Sequence, residues 1–191
     1  MRSTLKLVVG LAVILIATGV PGDWAVAGDG PEDGYREKAE SHDRRKEGEH
    51  RKHGLKPVDN PVYLETCGAC HFAYQPALLP AASWEKILAG LNNHFGEAVA
   101  LDDETRQTIG AYLKSGSAET SSAQIAVKIM DSLEGHAPMR ITDVFYIKKE
   151  HHGIPADVFK REPVGSFSNC AACHTDAAGG VYDEDGVRIP R

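Results

Sequence analysis

Apolar positions along the chain fall into short helical stripes separated by polar, glycine or proline breaks. Trp84, Ile87, Leu88 and Leu91 recur at i, i+3, i+4 and i+7, the spacing of one helix face. Ser83 stands ahead of them as a candidate N-cap, and His94 continues the stripe at i+10 before Phe95 and the terminator Gly96. Asp102 is placed to cap a second helix, from Asp103 to about Ser115, with Ile109, Tyr112 and Leu113 inward and Gly116 closing it. A third helix is predicted from about Ser122 to Leu133, with Ile125, Ile129 and Leu133 on one face and Gly135 at its end. Thr142 is a candidate cap for a fourth, Asp143 to His152, stopped by Gly153 and Pro155. Nothing alternates with period two strongly enough to predict a sheet.

The N-terminus follows a different pattern. Arg2 and Lys6 precede an apolar run from Leu7 to Val20, Pro21 and Gly22 break it, and Ala25-Val26-Ala27 supplies a small-x-small cleavage pattern. These are the three parts of a secretory signal peptide, predicted over residues 1–27. The run is short of the roughly 20 apolar residues that span a bilayer, so an uncleaved anchor is the weaker reading. From residue 28 to 56 the chain is nearly all charge, glycine and histidine, too apolar-poor to offset the entropy of ordering, and reads as a flexible arm. His42, His50 and His53 within it are solvated linker residues or a stray metal site.

Two pentapeptides dominate what remains. Cys67-Gly68-Ala69-Cys70-His71 and Cys170-Ala171-Ala172-Cys173-His174 both read C-x-x-C-H, the attachment signal for c-type haem. Two thiols spaced by a short turn add across the two vinyl groups of one porphyrin, and the adjacent histidine becomes the proximal iron ligand. All four cysteines of the chain are consumed by the two copies. A four-cysteine zinc site or a pair of short-loop disulfides would leave the two following histidines unexplained, and a thioredoxin-like redox motif would sit in a βαβ pattern that the sequence does not show. Two covalent haems are therefore the expected cofactors, and export agrees with them, because bacterial c-type haem attachment takes place outside the cytoplasm. The expected location is the periplasm.

The formal charge of −6 argues against nucleic acid, which demands a basic footprint. It suits either docking on a basic redox partner or solubility alone. Only 7% of residues are aromatic, so two independent protein-only cores are not expected from the stretch after Pro57. The predicted fold is mostly α, with short helices around two covalently attached haems and little or no sheet. A first haem lobe is assigned to residues 57–116 and a second to 117–191, with the Ser/Gly/Ala-rich stretch from Ser115 to Ser122 as the linker. The apolar loop Phe72 to Pro80 is expected over a haem edge, and the glycine-rich tail is expected to be irregular.

Each iron has a second axial position. Methionine is the usual partner in high-potential cytochromes c. Met130 reads as packing and Met139 as a loop candidate; the histidines are better supplied. His94 ends an apolar stripe near the first motif, and His151 shares a face with Val144 and Ile147, whereas His152 points with Phe145 and Lys148. His136 is a reserve. Arg140 and Arg161 are candidate partners for haem propionates or plain surface arginines. Whether each distal histidine serves the nearer motif or the other one stays open.

Three stretches resemble the periplasmic dihaem cytochromes c, the DHC family: Tyr63 to Glu97, Ala137 to Pro155 and Val164 to Pro190. The resemblance implies an electron-transfer protein rather than an enzyme, with two low-spin haems each held by two histidines. It implies attachment at Cys67, Cys70 and His71 and at Cys170, Cys173 and His174, with His94 and His151 as distal ligands. It also implies redox partner proteins such as membrane b-type cytochromes and a small oxygen-binding haem protein. The rival reading is a peroxidase-like dihaem enzyme or sensor with one haem open to a small ligand.

Overall fold

The computed structural model describes residues 54–191. The predicted signal peptide and the predicted arm up to residue 53, with His42, His50 and His53, lie outside the described residues. The arm's expected end at residue 56 is two residues late, because Leu55 is only 2% exposed and joins the core. Its N–H donates to the Gly180 carbonyl at 2.9 Å.

Helix α1, Pro61–Cys67, was not expected from periodicity. Asn60 caps it by accepting the Tyr63 N–H at 2.9 Å, and Pro61 fills a first-turn position where a missing N–H costs nothing. Helix α2 runs Ala81–Ala89, so Ser83 lies inside its first turn and is not the cap. Pro80 sets the entry, and the Glu119 carboxylate accepts the Ala81 N–H at 3.0 Å in place of a local cap. The helix also ends early. The Gly90 N–H bonds the carbonyls of Lys86 and Ile87, and a 3-10 turn, Leu91–Asn93, follows. His94 therefore leaves the helical stripe and is delivered by this turn.

Helix α3, Asp103–Ser115, has the expected bounds and cap: Asp102 accepts the Thr105 N–H at 2.8 Å. Helix α4 spans Gln124–Leu133 and ends through left-handed Glu134 and Gly135. The fourth predicted helix divides in two. Ile141–Asp143 is a separate 3-10 turn, and α5 is only Phe145–Glu150. Thr142 caps nothing; Val144, fully buried and extended, holds the break.

Helix α2 packs on α3, and α4 on α5. Their inward faces form one buried cluster that includes Tyr63, Leu78, Trp84, Ile109, Leu113, Ile129 and Val144. The stretch from Ser115 to Ser122 is not an exposed linker. Ser117 and Ala118 are buried, a 3-10 turn spans Ala118–Thr120, and the Ala118 N–H donates to the Leu79 carbonyl at 3.0 Å. Small residues there permit close packing rather than freedom, and the cluster runs across residue 116 without a break. After α5 the chain is a series of 3-10 turns and loops. Among the described residues there is no strand; two isolated bridges, His94 with Glu97 and His174 with Val187, are the only β-type pairings. No helix among them is long and apolar enough to cross a membrane.

Candidate functional site

Helix α1 ends on Cys67, and the Gly68 N–H closes the turn onto the Leu64 carbonyl at 3.0 Å. Cys70 and His71 then emerge at the surface of the same turn. Nδ1 of His71 donates to the Phe72 carbonyl at 2.8 Å. A carbonyl only accepts, so the ring proton sits on Nδ1 and Nε2 keeps its lone pair for a metal. In the second motif Cys170–Ala172 forms a 3-10 turn, and His174 follows it. The returning tail holds this turn: the Arg188 N–H donates to the Cys173 carbonyl at 2.8 Å, beside the bridge from His174 to Val187. Burial pushes the Cys67 and Cys173 thiols up, and the Cys170 thiol up to about 11. The four cysteines form no disulfide with one another.

The structure brings the histidines together in two pairs. The rings of His71 and His94 have centres 6.2 Å apart and planes 23° apart. Those of His151 and His174 have centres 5.9 Å apart and planes 69° apart. Two imidazoles on opposite sides of one metal have ring centres about 6 Å apart, because each metal–nitrogen bond is about 2 Å. His94 is set by a tight turn in which its N–H donates to the Glu97 carbonyl at 2.6 Å and Phe95 adopts φ +58°. That backbone is uncommon for a large side chain and is held here by ring contacts on both sides. Phe95 packs on the His94 ring at 4.8 Å, and the Arg140 guanidinium lies 3.9 Å over the Phe95 ring. Burial, then His71, then Arg140 push the His94 imidazole down toward its neutral form. His174 is pushed down by burial and by His151. His151 ends α5, and its Nδ1 donates to the Ile147 carbonyl at 2.8 Å, again leaving Nε2 free.

A cavity of about 690 Å³ is lined by both motifs and by His94 and His151, with apolar walls from Leu78, Leu79, Trp84, Ile87 and Leu113. Other candidates stand elsewhere. His152 is exposed, with Nδ1 donating to the Lys149 carbonyl, and neither it nor His136 lines the cavity. Met130 packs against the core, while Met139 and Arg140 are on the cavity wall. Arg161 donates to the Pro190 carbonyl at 2.7 Å. The loop after the first motif is buried from Gln75 to Pro80, and its Tyr74, Leu78 and Leu79 line the cavity.

A family profile described as dihaem cytochrome c matches residues 63–182. The chain belongs to the dihaem cytochrome c family. Two solved structures are similar along their length. A diheme cytochrome c from Rhodobacter sphaeroides is 38% identical, with a TM-score of 0.57, covering 67% of this chain and 100% of that one. A diheme cytochrome c from Shewanella baltica OS155 is 37% identical, with a TM-score of 0.56, covering 69% of this chain and 93% of that one. No curated protein matches the chain.

A dihaem cytochrome c is an electron-transfer protein carrying two covalently bound c-type haems, and the cysteines here stand at C-x-x-C-H positions. The residues present fit that cofactor. Each set of thiols borders one apolar-walled cavity, and each motif histidine faces a second histidine.

Periodicity missed several residues around these sites. Gln75 is fully buried, its amide N–H donates to the Ala177 carbonyl at 2.6 Å, and its oxygen accepts the Tyr182 hydroxyl at 2.5 Å. Tyr182 lies edge-on to the His174 ring at 5.4 Å, and Phe167 meets the His151 ring at 5.2 Å. One signal for Gln75 was present: it is the lone polar amide in the apolar run Phe72 to Pro80.

Proposed function

We propose that the chain is a periplasmic electron carrier, not an enzyme, in which His71 with His94 and His174 with His151 ligate the two irons. The observation that carries this reading is the pair of facing histidines at each motif, with ring centres 6.2 Å and 5.9 Å apart. In this reading Cys67 and Cys70 anchor the first haem and Cys170 and Cys173 the second. The bound haem supplies a one-electron ferric/ferrous couple at each site. The chain's part is to present a neutral imidazole from each side, so that ligand geometry changes little between redox states. Nδ1 of His71 and of His151 is tied to a backbone carbonyl, which fixes the tautomer and raises the basicity of the ligating nitrogen. Histidine in place of methionine on the distal side lowers the potential.

The location is inferred from the N-terminal signal pattern and from the haem attachment chemistry. For partners we infer redox proteins, a membrane b-type cytochrome or a small oxygen-binding haem protein, and the net charge of −6 favours a basic docking face on the partner. His94→Ala and His151→Ala, made separately, test the ligand set. Each is expected to convert one haem, and only one, to a high-spin form that binds carbon monoxide. If neither variant changes spin state, the pairing is wrong.

A further inference from the structure

The two haem-attachment motifs are joined by a buried polar link that no haem chemistry requires. Gln75, four residues after His71, reaches across the molecule to the segment behind the second motif and uses both ends of its amide there. Its N–H donates to the Ala177 carbonyl, and its oxygen accepts from Tyr182, whose ring lies against His174. Beside it, Tyr74 lies 5.4 Å from the His71 ring and donates its hydroxyl to the Ser168 carbonyl at 2.6 Å, two residues before Cys170. Each end of the link therefore touches a proximal histidine.

A buried amide satisfied at both ends is held hard, because breaking either bond leaves an unpaired polar group costing about 1–3 kcal/mol. Such a group restricts the register in which two segments meet, where an apolar side chain of the same size tolerates sliding. We propose that Gln75 is a positioning residue that fixes the second haem site against the first, and so sets the rate at which an electron passes between the haems. The functional consequence rests on the electron-carrier reading above. Covalent attachment makes each haem follow its motif, and electronic coupling falls steeply with separation. A small shift of one motif against the other is therefore read out as a change in exchange rate.

The test is Gln75→Met in the holoprotein with both haems attached. It keeps side-chain length and removes both hydrogen bonds. Inter-haem electron exchange is measured by NMR exchange spectroscopy on the half-reduced protein, beside the optical spectrum. The expected result is an unchanged low-spin spectrum with exchange slowed several-fold. Tyr182→Phe keeps the ring against His174 but removes the hydroxyl, and is expected to slow exchange by a smaller factor. It carries the test alone if Gln75→Met fails to accumulate with both haems. Ile129→Val, a buried core change in α4 whose side chain takes part in neither link hydrogen bond, is expected to leave exchange at the wild-type rate. Wild-type exchange in the Gln75 and Tyr182 variants, or equal slowing in Ile129→Val, overturns the proposal. Failure of the carrier reading is a separate observation: a high-spin or carbon monoxide-binding haem in the unaltered protein.

Discussion

A β-carbon on Gly180 would stand 2.0 Å from the carbonyl oxygen of Leu55. The two backbones meet there through the hydrogen bond from the Leu55 N–H to the Gly180 carbonyl, and Gly180 holds φ +80°, which glycine adopts without penalty. This contact pins the first described residues to the loop behind the second motif. Gly180 is one residue from Val181 and two from Tyr182, so it also fixes the approach of that tyrosine to Gln75.

Gly180→Ala is therefore expected to destabilise the protein by more than about 1 kcal/mol, through both the left-handed backbone and the steric clash. The midpoint of denaturant unfolding, at unchanged slope, checks it.

Asp102 predicts a pH dependence. Hydrogen bonds from the Thr105 N–H and hydroxyl hold its carboxyl below the ordinary aspartate value. A carboxyl whose folded-state value is depressed contributes stability that is present above its unfolded value and lost as pH falls through the folded one. Asp102→Asn keeps a good cap but removes the titration. The variant should lose less stability than the wild type between neutral pH and about pH 3, measured as unfolding midpoint against pH.

The two histidine pairs differ in twist, and under the proposed four-histidine ligation this has a magnetic consequence. Near-parallel imidazole planes, as in His71 and His94 at 23°, split the two iron d orbitals that the rings engage. Planes approaching perpendicular, as in His151 and His174 at 69°, leave those orbitals nearly degenerate. The oxidised protein is expected to give two distinct low-spin EPR signals of equal weight, one rhombic and one much more anisotropic. His94→Ala should remove the rhombic signal and leave the other.

What the sequence made legible was chemistry and local stop signals. The haem motifs, helix α3 with its Asp102 cap, and the inward residues Ile129 and Leu133 of α4 could all be read from short patterns. What it did not make legible was set by tertiary contacts. Ser83 looked like a cap, but Pro80 and the distant Glu119 started α2 three residues earlier. His94 fitted a helical stripe numerically, yet Gly90 broke the helix first, and the tight turn at Phe95 delivers the ring instead. The small residues around Ser117 suggested a linker, where they allow burial against Leu79 and Pro76. Gln75 and Tyr182 are 107 residues apart, and no local pattern relates them. Asn60-Pro61 was a readable cap for α1 that hydrophobic periodicity passed over because the helix is only seven residues long.

The most direct test of the central claim is the optical spectrum of the fully reduced protein before and after addition of carbon monoxide. Two irons each held between two histidines predict sharp low-spin bands that carbon monoxide does not shift. A shifted Soret band in the unaltered protein would mean that one iron has an open or readily displaced axial position. That result would contradict the four-histidine assignment and favour a ligand-binding enzyme or sensor.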